Sequence, residues 1–175
     1  MTIFQIQGWK LAKYDFQVNV CNETETLVLG SKIADVIDFP IIITLVGELG
    51  AGKTTLTRGM LRQLGHLGHV KSPTFSIVEM YEILSLQIAH FDMYRITDEQ
   101  ELEFFGFKEY FDTADLIVIE WPNRISGLDF LIDIEVTITI KNNSRDLIFK
   151  SRSDRGSLVL KKLKSKILRW GVLAC

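Results

Sequence analysis

The chain has 175 residues, 47% of them hydrophobic and 24% charged, a balance that excludes a disordered segment and leaves room for one domain with its own core. Its formal net charge of -2 excludes an overall basic footprint for nucleic acid, so any such patch has to be local. No apolar run approaches the roughly 20 residues of a membrane-spanning helix, and the N-terminal stretch lacks the segments of a signal peptide, so a soluble cytoplasmic protein is expected.

In chain order, "ETETLVLGSKIADVID" places Leu27, Ile33, Ala34 and Ile37 at helical spacing behind acids and threonines, which predicts a helix over 23–38. "IIITLV", residues 41–46, is a continuous β-branched run between Pro40 and Gly47, the pattern of a strand buried on both faces. From Lys53, Leu56, Met60, Leu61 and Leu64 fall on one face of a helix that stops near Gly65. "LQIAHFD" and "LIVIEW" predict two more strands, over 86–92 and 116–121, each with a carboxylate at its C-terminal side, Asp92 and Glu120. The acidic and aromatic stretch between them suits a short helix carrying Leu102, Phe105 and Tyr110 on one side.

This alternation predicts an α/β protein with a mostly parallel central sheet and helices on both faces. From Ile132 to Ile140, isoleucines and a valine alternate with Asp133, Glu135, Thr137 and Thr139, and "KNNSRD" supplies a turn. An antiparallel hairpin toward the C-terminus follows. Residues 160–169 alternate leucine and isoleucine with Lys161, Lys162, Lys164, Lys166 and Arg169, the pattern of a basic amphipathic helix. Such a helix suits tRNA phosphates, an acidic protein, a membrane surface or simply the cover of its own core. The two cysteines, Cys21 and Cys175, share no metal-binding spacing and indicate no disulfide framework.

Gly47, Gly52, Lys53 and Thr54 satisfy the P-loop pattern G-x4-G-K-[ST] between a predicted strand and a predicted helix. Glycines let successive N–H groups point into one concavity, and the positive end of the following helix adds to their pull on phosphate oxygens. Lys53 supplies a full positive charge to the β- and γ-phosphates, and the Thr54 hydroxyl is placed to ligate magnesium. A second magnesium ligand is commonly an acid at the end of a neighbouring strand, and Asp92 and Glu120 are both candidates. No N-K-x-D loop for guanine is present, which favours ATP over GTP.

"GELGAGKTTLTRG", "VKSPTFSIVEMYE", "HFDMYRITDEQELEFFGF" and "IEWPNRI" together resemble the TsaE (YjeE) family, the bacterial ATPases of tRNA threonylcarbamoyladenosine biosynthesis. The resemblance covers about residues 23–150, leaving 1–15 as an N-terminal extension and 152–175 as a basic tail or helix. It implies a magnesium-dependent ATPase, slow when alone, that docks on TsaB and TsaD. TsaD there transfers a threonylcarbamoyl group to the adenosine beside the anticodon of tRNAs reading ANN codons. Contact of the ATPase with tRNA is expected to be indirect, and the isolated chain to be a monomer.

By resemblance, Gly50, Ala51, Gly52, Lys53, Thr54 and Thr55 match the phosphate loop, and Thr54 and Glu120 match the magnesium ligands. Asp92 matches an acid that orients the attacking water or supports the metal through water, and Glu23 and Arg145 match positions beside the base and ribose. Ser72, Pro73 and Thr74 match a switch-like loop, for which a proline-fixed turn is the plain alternative. Trp121 suits the site, a partner or the core. Two further functions stay open, a P-loop kinase of a small molecule or protein and an ATP-gated binding module.

Overall fold

The computed structural model describes residues 14–98, 100–104, 106–125 and 131–170. Cys175, Phe105 and residues 1–13 of the N-terminal extension, on which three of the expectations above bear, lie outside the described residues.

Seven strands form one sheet: β1 (Asp15–Val20), β2 (Ile41–Val46), β3 (Val78–Ile83), β4 (Leu86–Asp92), β5 (Leu116–Glu120), β6 (Ile134–Lys141) and β7 (Ser144–Ser151). The order across it is β1-β7-β6-β2-β5-β4-β3. The four central strands β6, β2, β5 and β4 run parallel, while β1, β7 and β3 add antiparallel edges. β2 sits between β5 and β6, which is why its six residues read as an uninterrupted apolar run. The β6–β7 hairpin turns between Lys141 and Ser144, as its alternation predicts.

Among the described residues, five helices cover this sheet: α1 (Glu23–Ala34), α2 (Lys53–Leu64), α3 (Gln100–Phe104), α4 (Tyr110–Thr113) and α5 (Asp154–Trp170). Ile41, Ile43 and Leu45 point to one face and pack with Leu29 and Ile33 of α1, Leu56 and Met60 of α2, and Leu160 and Leu163 of α5. Ala89, Phe91, Ile117 and Ile119 point to the other face and pack with Leu102 and Phe107. Side chains alternate along a strand, so Ile88, His90 and Asp92 share the α2 face with Leu116, Val118 and Glu120. Two strand-end acids and a histidine are thereby directed toward the start of α2.

α1 and α2 meet closely through two glycines. A Cβ on Gly59 would stand 2.2 Å from the Leu27 carbonyl oxygen, and one on Gly30 would stand 2.3 Å from that of Leu56. The predicted first helix starts as expected, with the Asn22 side chain accepting from Glu25 N, but ends at Ala34 instead of residue 38. The single acidic and aromatic helix is broken, because Gly106 adopts a left-handed conformation (φ 61°) and a 3-10 turn over Phe107–Glu109 intervenes before α4.

Tyr81 of the edge strand β3 is buried against the His66 ring, with centroids 4.9 Å apart. Burial, and then the charge of Glu79, push its phenol up to about 12. An unfolded tyrosine loses its proton near pH 10, so between about pH 10 and 12 the unfolded chain holds fewer protons than the folded one. Stability is therefore expected to fall across that window. Absorbance at 295 nm should show one tyrosine titrating late, and Tyr81→Phe should remove that late phase; a wild type with no late phase contradicts the assignment.

Candidate functional site

The loop from Gly47 to Gly52 leaves the end of β2 and turns into α2 at Lys53. Gly50 (φ 79°) and Gly52 (φ 108°) are both left-handed, conformations that a side chain at either position would strain. Gly52 is the N-cap of α2 and offers no side-chain acceptor, so the first N–H groups of the helix face the adjoining cavity without a cap. That cavity has a volume of about 260 Å³, and its walls include Lys53, Thr54, Ser72, Asp92, Tyr94 and Glu120. Ala51 is fully buried and anchors the loop to the core, while Thr55 lines the cavity mouth.

Lys53 is 4% exposed. Its ammonium donates to the carbonyls of Gly47 and Glu48, both at 2.9 Å, and lies 4.0 Å from the centroid of the Trp121 ring. Among the described residues it pairs with no carboxylate. Loss of solvent lowers its pKa, an effect that the charges of Glu120, Asp92 and Glu48 oppose. A desolvated cation held only by carbonyl dipoles and a π face is poised for a stronger anion.

Thr54 and Glu120, expected to act on one metal, are brought together: Thr54 Oγ1 donates to Glu120 Oε1 at 2.8 Å. The same oxygen contacts His90 Nε2 at 2.9 Å. Both His90 and Glu120 are almost wholly buried, at 0% and 2% exposure. His90 Nδ1 is buried without a hydrogen-bond partner, so the ring's polar contact runs through Nε2 to the carboxylate. A hydroxyl beside a fixed carboxylate, next to a lysine and a glycine loop, is a donor set suited to a hard cation carrying phosphate oxygens.

Asp92 is 3% exposed and gathers three donors. Its Oδ2 accepts from Ser72 Oγ and, at 2.8 Å, from Thr74 Oγ1, while Oδ1 accepts from Tyr94 N at 3.0 Å. The Ser72-Pro73-Thr74 segment is thus pinned to the acid at the end of β4. It is followed by Ile77 at φ 65°, a β-branched residue in the left-handed region, whose N–H donates to Pro73 O at 2.7 Å. Trp121, at φ 58°, is a second bulky residue in the left-handed region, its N–H donating to Leu45 O at 3.2 Å as the chain leaves Glu120. Two loops that border this cavity thus each carry a residue held in the left-handed region.

Glu23 and Arg145 are also brought together. They line a second cavity of about 170 Å³ with Thr26, Gly50, Gly52 and Thr55, adjoining the first across the loop. Glu23 accepts from Arg58 Nη1 at 3.3 Å. Sequence reasoning missed His90, whose signal was available: a histidine on the inward parity of a strand between Ile88 and Asp92. It also missed Tyr94, which lines the cavity and packs on Trp121 with centroids 5.0 Å apart.

A family model described as threonylcarbamoyl adenosine biosynthesis protein TsaE matches residues 20–151. The TsaE protein of Haemophilus influenzae is 40% identical over 144 residues, covering 79% of this chain and 91% of the relative. That of Bacillus subtilis is 35% identical over 125 residues, covering 70% and 77%. The crystal structure of Bacillus subtilis YdiB superimposes with a TM-score of 0.72 at 24% identity, covering 89% of this chain and 98% of that one, a likeness of fold.

Proposed function

The chain belongs to the TsaE family and so to tRNA threonylcarbamoyladenosine biosynthesis, and from that premise we propose that it is a magnesium-dependent ATPase serving the TsaB-TsaD complex. The observation that carries this reading is the bond between Thr54 Oγ1 and Glu120 Oε1 at the mouth of the glycine loop. In this reading Gly50, Ala51, Gly52, Lys53, Thr54 and Thr55 hold the phosphates, Thr54 and Glu120 hold magnesium, and Glu23 and Arg145 flank the base and ribose. Magnesium held there would supply positive charge against the phosphate oxygens.

The remaining work falls to the chain. Lys53 contributes a desolvated positive charge where the leaving phosphate develops negative charge. Asp92 orients a water whose oxygen attacks the γ-phosphorus as the bond to the bridging oxygen breaks, giving ADP and phosphate. Asp92 already accepts from Ser72 and Thr74 at Oδ2 and from Tyr94 at Oδ1, so in this reading the water binds at the open site of Oδ1 or replaces one hydroxyl of the 72–74 segment at Oδ2. Exchange at Oδ2 would link occupancy of the cavity to the position of the half-buried 72–74 segment.

The test is ATP hydrolysis by the purified chain with magnesium, alone and then with TsaB, TsaD and tRNA. Slow turnover alone that rises when the partners are added is the expected result. Absence of hydrolysis under both conditions contradicts the ATPase reading, and hydrolysis indifferent to the partners contradicts their role.

A further inference from the structure

We propose that the outward face of α5 is a contact surface for the phosphate backbone of RNA. The proposal takes tRNA as its ligand because the family acts in tRNA modification, and it is independent of the ATPase reading. α5 lies beyond residues 20–151, the part of the chain that the family model matches.

The helix has two unlike sides. Val159, Leu160, Leu163 and Ile167 are buried at 5% exposure or less and close the core over the sheet. Lys161, Lys162, Lys164, Ser165 and Arg169 are exposed on the opposite side. Lys162 and Lys166 are each paired at 2.6 Å with acids that follow α1, Asp38 and Asp35, and these pairs fix the helix in place. Lys161, Lys164 and Arg169 pair with no carboxylate among the described residues. Lys161 and Lys164 instead approach the Tyr14 ring, at 6.0 and 5.7 Å. A chain of net charge -2 thus gathers unneutralised cations on one helix face.

The chemistry selects among possible occupants. Insertion into a lipid interface needs an apolar helix face free to enter it, and that face of α5 is spent on the core. Lysines act as point charges toward phosphate and carry no base recognition, so the contact would position RNA without reading sequence. The surface is also remote from the cavity. α5 is tied to the C-terminal end of α1, whereas Glu23 at the other end of that 12-residue helix lines the second cavity, about 18 Å away at the rise of an α-helix. RNA held there leaves the cavity mouth clear.

The test is fluorescence anisotropy of a labelled, unmodified tRNA transcript with the full chain, comparing wild type with the triple variant K161E/K164E/R169E. Three phosphate contacts predict that wild-type affinity falls roughly 20- to 40-fold between about 50 and about 200 mM monovalent salt. The triple variant is expected to lose at least about tenfold at low salt and to show a flatter salt slope, with ATP hydrolysis and melting temperature unchanged. K161Q/K164Q/R169Q, which only neutralises, should fall between the two and serves if the charge reversal impairs folding. No tRNA binding by the wild type at low salt overturns the proposal, as do equal affinities of wild type and variants. So does binding through α5 to anionic vesicles or an acidic protein but not to tRNA. A chain that hydrolyses ATP and binds no tRNA overturns this surface alone; one that binds tRNA through α5 and hydrolyses no ATP overturns the ATPase reading alone.

Discussion

Glu120→Gln is expected to lower the rate of ATP hydrolysis by at least about two orders of magnitude, equivalent to about 2.7 kcal/mol of transition-state stabilisation. Glutamine is chosen over alanine because the wild-type Oε1 accepts from Thr54 and contacts His90. An amide oxygen of the same shape preserves both contacts, whereas alanine would strand the buried His90, leave the half-buried Thr54 hydroxyl without this acceptor, and confound loss of chemistry with loss of fold. What glutamine removes is the negative charge, and with it the attraction for a divalent cation. Nucleotide affinity measured in EDTA should therefore match the wild type, and the gain in affinity on adding magnesium should shrink. Thr54→Ala, which deletes the other oxygen at this point, should share the magnesium defect. Full hydrolysis by Glu120→Gln would remove Glu120 from the metal site and return the assignment to Asp92.

The parts of this site that the sequence disclosed are those coded by short-range patterns. An apolar run bounded by Pro40 and Gly47, then a helical repeat from Leu56 to Leu64, define β2, the loop and α2 from neighbours alone. The carboxylates of Asp92 and Glu120 stood out because each ends an apolar strand, and strand parity then turns both to the α2 face. The edge strands β1 and β3 did not stand out. "DFQVNV" and "VEMYEI" mix polar and apolar residues because each is paired on one side only, and in β3 the glutamates remain exposed. Contacts between distant segments were equally hidden. The hold of Ser72 and Thr74 on Asp92 spans about 20 residues of sequence and depends on β3 lying antiparallel to β4. The left-handed turn at Trp121 was invisible as well, since tryptophan carries no local preference for it.

His90 shows what such hidden contacts do, and His90→Phe is expected to cost about 10- to 100-fold in magnesium-dependent activity although the ring does not line the cavity. The side chain is 0% exposed and, among the described residues, its one polar contact is Glu120 Oε1. It can therefore influence the reaction only through the carboxylate, as a positioning residue. Phenylalanine fills the space but offers no donor, so Glu120 keeps Thr54 as its remaining side-chain partner and gains freedom to rotate away from it. The magnesium concentration for half-maximal activity should rise, while nucleotide affinity without metal should not change. His90→Gln, which can restore a donor near the Nε2 position, should recover part of the loss. A merely structural histidine gives a different outcome. His90→Phe would then lower the melting temperature, leave the magnesium dependence where it was, and gain nothing from the glutamine variant. The distinction decides whether the histidine of "HFDMYR" belongs to the site or only to the core beneath it.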